Sequence, residues 1–157
     1  MNSIVEFPWQ QAAIIIHSQL IIKSFQRWLG RSLLDVDGSP VDIAKALFEA
    51  PFVLAAHGIE ADPIFNYGNR KALEQWQMSW EEFTRTPSRK SAEAVEQTER
   101  NRLLAETTTQ GFSYFSGVRI TSTGQRFRIE DGIVWNLLDE ENQYCGQAAV
   151  YSKCQFI

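Results

Sequence analysis

From Trp9 to Leu29 the apolar positions Ile14, Leu20, Ile21, Phe25, Trp28 and Leu29 recur at helical spacing, which predicts one amphipathic helix stopped by Gly30. Asp35–Pro40 reads as a turn. There Ser39 can act as N-cap, with Pro40 in the first helical position of a short helix reaching Ala50. Pro51–His57 (PFVLAAH) is an apolar run of strand length, followed by turn residues Gly58–Pro63 and a second short strand at Ile64–Asn66. Helical spacing resumes over Tyr67–Met78, and Ser79-Trp80-Glu81-Glu82 has the form of a capping box that starts the next helix. Beyond the polar stretch Thr84–Ser91, a charged helix from about Ala92 to Gln110 offers only Val95, Leu103 and Leu104 as apolar points. It is therefore predicted to be mostly solvated, with Gly111 in the C′ position.

The rest of the chain alternates as strands do: Phe112–Thr121, a turn at Ser122-Thr123-Gly124, Arg126–Leu138, a turn at Asp139–Asn142, and Tyr144–Tyr151. The whole is an α+β layout without internal repeats, whose strands fit one five-stranded antiparallel sheet. The strand Arg126–Leu138 begins with clean alternation, but Ile133, Val134, Trp135, Leu137 and Leu138 put apolar groups on both faces. The outer face there needs a cover. Either the N-terminal helix of the same chain or a partner subunit would serve.

At 157 residues, 44% of them hydrophobic, the chain has the material for one globular unit with a real core. A net charge of −4 lacks the basic excess that nucleic-acid surfaces use, so direct DNA or RNA binding is not expected. No apolar run approaches the roughly 20 residues that span a bilayer, and Ala12–Ile16 is cut by His17, Ser18 and Gln19. Met1–Gln11 contains Glu6 and no Lys or Arg, unlike a secretory leader, which predicts a cytoplasmic protein without membrane association. Cys145 and Cys154 would close only a short loop and read as reduced thiols.

An apolar first strand, the stretch Ile64-Phe65-Asn66-Tyr67-Gly68-Asn69 running into a helix, the Ser79–Phe83 helix and a glycine-turned C-terminal hairpin together resemble the PAS domain family over about Leu47–Tyr151. More closely, Ala50–Val53, Phe65–Tyr67, Trp80–Thr84, Pro87–Arg89, Ser116–Ile120, Arg126–Glu130, Val134–Leu137 and Gly146–Ala149 resemble the MEKHLA domain, itself PAS-like. The resemblance implies a PAS-like five-stranded antiparallel sheet with helices on one face and an N-terminal helical extension. That divides the chain into a helical cap over residues 1–46 and a MEKHLA domain over 47–157. It implies a sensory or regulatory role, not a reaction. The chain carries no homeodomain, leucine zipper or contiguous Met-Glu-Lys-His-Leu-Ala string, so a role in transcription does not transfer. Flavin-binding PAS domains carry a cysteine on a helix, whereas here both cysteines lie near the C-terminus. Haem-binding ones use a histidine on the central helices, and Tyr67–Gln110 has none.

Among catalytic candidates, His17, His57, two cysteines and scattered carboxylates assemble no nucleophile–base pattern, and metal-ligand and phosphate-loop spacings are absent. The PAS-like layout instead gathers Phe65, Trp76, Phe83, Phe127 and Trp135 near Asn66, Asn69 and Asn136, with His57 at a strand end. Apolar walls with a few polar anchors describe a ligand pocket and a filled core equally. The candidate ligand-binding residues are thus His57, Phe65, Asn66, Asn69, Trp76, Phe127, Trp135 and Asn136; no cofactor is identified. Arg119, Arg126 and Arg128 cluster on the hairpin, as either a solvated face paired with Glu or a site for an anion or acidic partner. A non-catalytic module for a small organic ligand or protein partner is expected, the alternative being a small enzyme using the same cavity. The apolar stripe of the first helix further predicts a homodimer through that helix.

Overall fold

The computed structural model describes residues 7–157, so the charge pattern of the first residues lies outside it. Helix α1 (Ala12–Leu29) starts later than the periodicity implies, because Pro8 opens a single 3-10 turn and the backbone is extended at Gln11. Gly30, at φ 71°, ends it. Its buried ridge is Ser18, Ile21, Ser24 and Phe25. The serines are tolerated there because each is bonded: the Ser18 hydroxyl donates to the Ile14 carbonyl (2.7 Å), and that of Ser24 accepts from the Leu138 amide (3.0 Å). Helix α2 (Pro40–Phe48) begins with a reciprocal box in which the Ser39 hydroxyl accepts from the Asp42 amide and the Asp42 carboxylate from the Ser39 amide.

Strand β1 (Val53–His57) is followed by β2 (Phe65–Gly68), which runs further than expected: Tyr67 and Gly68 are strand, not helix. Asn69 supplies the cap of α3 (Arg70–Trp76), accepting from the Ala72 amide at 3.1 Å. Helix α4 (Trp80–Phe83) carries the capping box expected of Ser79 and Glu82. Helix α5 (Gln97–Gln110) is shorter than expected, since Ala94–Glu96 is a separate 3-10 turn; Val95 stays 83% exposed.

Strands β3 (Phe112–Ile120), β4 (Arg126–Leu138) and β5 (Tyr144–Tyr151) form the meander, and the antiparallel sheet runs β2-β1-β5-β4-β3. A sixth strand, β6 (Lys153–Phe156), corrects the expectation of five. It continues β5 beyond Ser152 along the same edge of β4, from Glu130↔Lys153 to Phe127↔Phe156. Lys153-Cys154-Gln155-Phe156 alternates polar and apolar, but four residues are a weak signal and all four are exposed.

Strand β4 explains its own two-faced pattern. Glu130 and Asp131 stand opposite the single residue Ser116, a bulge in which Asp131 takes φ 55°. Side chains change face there. Phe127 and Ile129 lie with α3 and α4, whereas Ile133, Trp135 and Leu137 lie with α1. The sheet therefore separates two cores. One packs Ile21, Phe25, Leu47, Leu54 and Tyr67 around Trp135; the other packs Ala55, Phe65, Phe83, Phe127 and Tyr151 around Trp76. The outer face is covered by α1 of the same chain.

Candidate functional site

Between the second core and α5 lies a cavity of about 70 Å³, walled mostly by apolar side chains that include Ala55, Phe65, Trp76, Leu103 and Ile129. Every residue of β1 is buried, and alternation along it sends Val53, Ala55 and His57 to this side. Three buried polar atoms on the wall, His57 Nε2, Trp76 Nε1 and the Tyr151 hydroxyl, have no hydrogen-bond partner among the described residues. Natural interiors rarely leave such atoms orphaned. His57 Nδ1 lies 3.1 Å from the Gly58 carbonyl, which can only accept, so Nδ1 carries the proton and Nε2 presents a lone pair. Burial lowers the proton affinity of this imidazole; the Gly58 carbonyl restores part of it, the nearby Arg100 charge lowers it again, and Glu60 and the adjacent Gln147 side chain, which falls short of a well-formed hydrogen bond to Nε2, raise it. Burial likewise raises the Tyr151 phenol well above its ordinary value.

Of the residues expected to meet a ligand, His57, Phe65 and Trp76 reach the cavity. Phe127 stands behind it, edge-on to Trp76 with ring centres 5.4 Å apart. The remaining four are used elsewhere. Pairing steps from Ala56↔Tyr67 to His57↔Phe65, leaving Asn66 as an extra residue whose Oδ1 accepts from His17 Nε2 of α1 (3.0 Å). Asn69 is completely buried and fully bonded, accepting from the Leu54 and Ala72 amides and donating to the Leu47 and Phe52 carbonyls. Trp135 belongs to the other core, edge-on to Phe25 and donating from Nε1 to the Ile21 carbonyl. Asn136 does face α5, but its amide is committed to Thr108 and Gln147.

Most of the wall lies outside the candidate set, Tyr151 and Gln147 included, and two of its residues are charged. Arg119 reads from the sequence as one cluster with Arg126 and Arg128, yet Arg126 pairs with Glu93 on the surface (2.6 Å) while Arg119 is only 9% exposed. Arg100, 8% exposed, comes from the helix expected to be solvated. The available signal was its spacing from Leu103, Leu104 and Thr107, which puts all four on one helical face. Among the described residues no group of His, Cys, Asp or Glu is placed to hold a metal ion, and no helix is long and apolar enough to cross a membrane.

The profile of the MEKHLA domain family matches residues 15–156. None of the curated proteins matches the sequence. Among solved structures, the PAS domain of a protein from Colwellia psychrerythraea is similar at 14% identity and a TM-score of 0.62, covering 74% of this chain and 94% of that one. A PAS domain from a two-component sensor histidine kinase is similar at 15% identity and a TM-score of 0.56, covering 72% and 91%. The light-state dimer of the fungal blue-light photoreceptor Vivid gives 14% identity and a TM-score of 0.57, covering 85% and 93%. At these identities the likeness is one of fold, and the fold is α+β and PAS-like.

Proposed function

The chain belongs to the MEKHLA domain family, and on that premise we propose that it is a non-catalytic sensory module that binds a small organic ligand in the cavity between the sheet and α5. The observation that carries this reading is the trio of unpartnered polar atoms on an otherwise apolar wall. The Tyr67 hydroxyl is unpartnered in the filled core too, but on the cavity wall such atoms border space in which a ligand can supply a partner. Non-catalysis is supported by the wall, where the His57 imidazole, the Ser91 hydroxyl and two guanidiniums stand among apolar side chains with no Asp or Glu in the lining. A light-sensing flavin does not fit. At about 70 Å³ the cavity is far below the roughly 300–1,000 Å³ of ordinary cofactor pockets, and Cys145 and Cys154 lie on β5 and β6.

Native mass spectrometry of freshly purified protein, followed by a thermal-shift screen of small organic compounds on the parent and on Ala55→Leu, tests the reading. A retained or added compound that stabilises the parent and loses its effect in the cavity-filling variant supports it. No compound acting on the parent, or equal action on both proteins, overturns it.

The same proposal places the protein in the cytoplasm, in keeping with its two free cysteines, and treats residues 1–46 as a cap on the body formed by 47–157. It also includes a homodimer, with a narrower contact than the whole apolar stripe. Ile21 and Phe25 are consumed by the chain's own sheet, leaving the outer face of α1 around Ile16, which is 58% exposed. Light scattering on the intact chain and on Ile16→Glu decides it: a monomeric mass for the intact protein, or an unchanged dimer in the variant, refutes that contact.

A further inference from the structure

The chain carries net negative charge, yet the wall of its buried cavity gathers two guanidiniums. Arg100 makes one hydrogen bond among the described residues, from Nη2 to the Ser88 hydroxyl (2.9 Å). Arg119 also makes one, from Nη1 to the Val118 carbonyl (2.8 Å), and its guanidinium lies 6.0 Å from the centre of the Phe115 ring. Neither forms a salt bridge with any described carboxylate. Asp62 is taken by Arg89, and Glu96 and Glu99 act on Arg119 only from beyond contact. Most donors of both groups therefore lack a protein acceptor.

Burying one cation without a partner is costly, and two close enough to oppose each other's charge cost more. Burial and the neighbouring Arg119 together push the Arg100 guanidinium down to about 10. Such an arrangement is unfavourable as architecture and favourable as a receptor, because an incoming anion restores the missing partner. Arg100, Leu103, Phe115 and Arg119 also wall an outer groove of about 210 Å³, together with Glu99 and Glu106, so the arginines stand between groove and cavity.

Resting on the ligand-cavity reading above, we propose that the occupant is a short-chain carboxylate, its anionic end held by Arg100 and Arg119 and its hydrocarbon end against Phe65 and Trp76. The small volume limits the molecule to a few heavy atoms, and the aromatic wall selects a hydrocarbon over a fully hydrated inorganic anion. Trp76 Nε1 and the Tyr151 hydroxyl add neutral donors on the same wall, whereas the lone pair of His57 Nε2 gains no partner from an ionised carboxylate.

Propionate, its neutral counterpart propionamide, and inorganic phosphate are titrated at constant ionic strength, with thermal midpoint and calorimetry as readouts on the parent, Arg119→Met and Arg119→Lys. Propionate is expected to bind and stabilise the parent. Propionamide and phosphate should not, and Arg119→Met should weaken propionate by at least about tenfold, with partial rescue by lysine. Without ligand, Arg119→Met is expected to melt no lower than the parent, because a like-charge contact has been removed. Should that variant fail to fold, line broadening of carbon-13 propionate by the parent still reports binding. Equal binding of propionamide, a response to phosphate alone, or full propionate affinity in Arg119→Met overturns the carboxylate assignment. If propionate fails while neutral compounds still bind the cavity, this inference falls and the ligand reading stands; if nothing binds, both fall.

Discussion

Trp135 shows how one side chain can be structural where its composition and neighbourhood suggest recognition. It is completely buried, packs edge-on against Phe25 at 4.9 Å and fastens α1 through the Ile21 carbonyl. Truncating it to alanine is expected to cost roughly 3–5 kcal/mol, a large share of the about 5–15 kcal/mol that holds a typical domain together. Trp135→Ala should therefore melt far below the parent although it touches no residue of the cavity trio, and an unchanged midpoint would refute the placement. The histidines carry a second residue-scale expectation. Burial holds both His17 and His57 below the ordinary imidazole value of 6.5, against the opposing pull of their hydrogen bonds. The unfolded chain thus takes up protons near pH 6.5 that the native chain refuses, so stability is complete above that pH and declines below it. Thermal midpoints should fall between about pH 7 and about pH 5, and less steeply in His17→Gln and His57→Gln; a flat parent profile rules this out.

Elements whose ends are marked by local chemistry were legible in the sequence. Gly30, the Ser39-Pro40 pair, the Ser79–Glu82 box and the glycine turn at 124 punctuate the chain in ways that need no tertiary information. What could not be read depended on pairing. The bulge at Asp131 decides which core receives Trp135, and no local pattern announces it. The extra residue in β2 likewise sends Asn66 toward His17 and away from the cavity. Arg100 and Arg119 were hidden because a charged helix and a cationic hairpin normally face water; only docking α5 on β3 turns them inward. Gly146 offers a test at this scale. It holds φ 144°, and a Cβ there would collide with the His57 carbonyl oxygen, so β1 and β5 approach too closely for any side chain. Gly146→Ala should cost about 1–3 kcal/mol in chemical denaturation and displace His57 from the cavity wall. A variant as stable as the parent refutes the close approach.

For the whole molecule, the disposition of α1 means that cap and body share a core. Ile21 and Phe25 are as deeply buried as any sheet residue, and the family match begins inside α1 rather than after it. Far-ultraviolet circular dichroism and tryptophan fluorescence should accordingly report one coincident thermal transition, and Phe25→Asp should lower both signals together. Loss of helix signal ahead of the tryptophan signal would instead make residues 1–46 a detachable unit. The sheet between the two cores is not a partition. At Asn136 the backbone carbonyl accepts from Trp28 Nε1 of α1 (2.9 Å), the amide N–H donates to Gly111 at the end of α5, and the side chain donates to Thr108 within α5. One residue is thus a rivet through both layers. A sideways slip of α5 would therefore load the seat of Trp28 across the strands, so the two faces of the sheet answer to a push as one body.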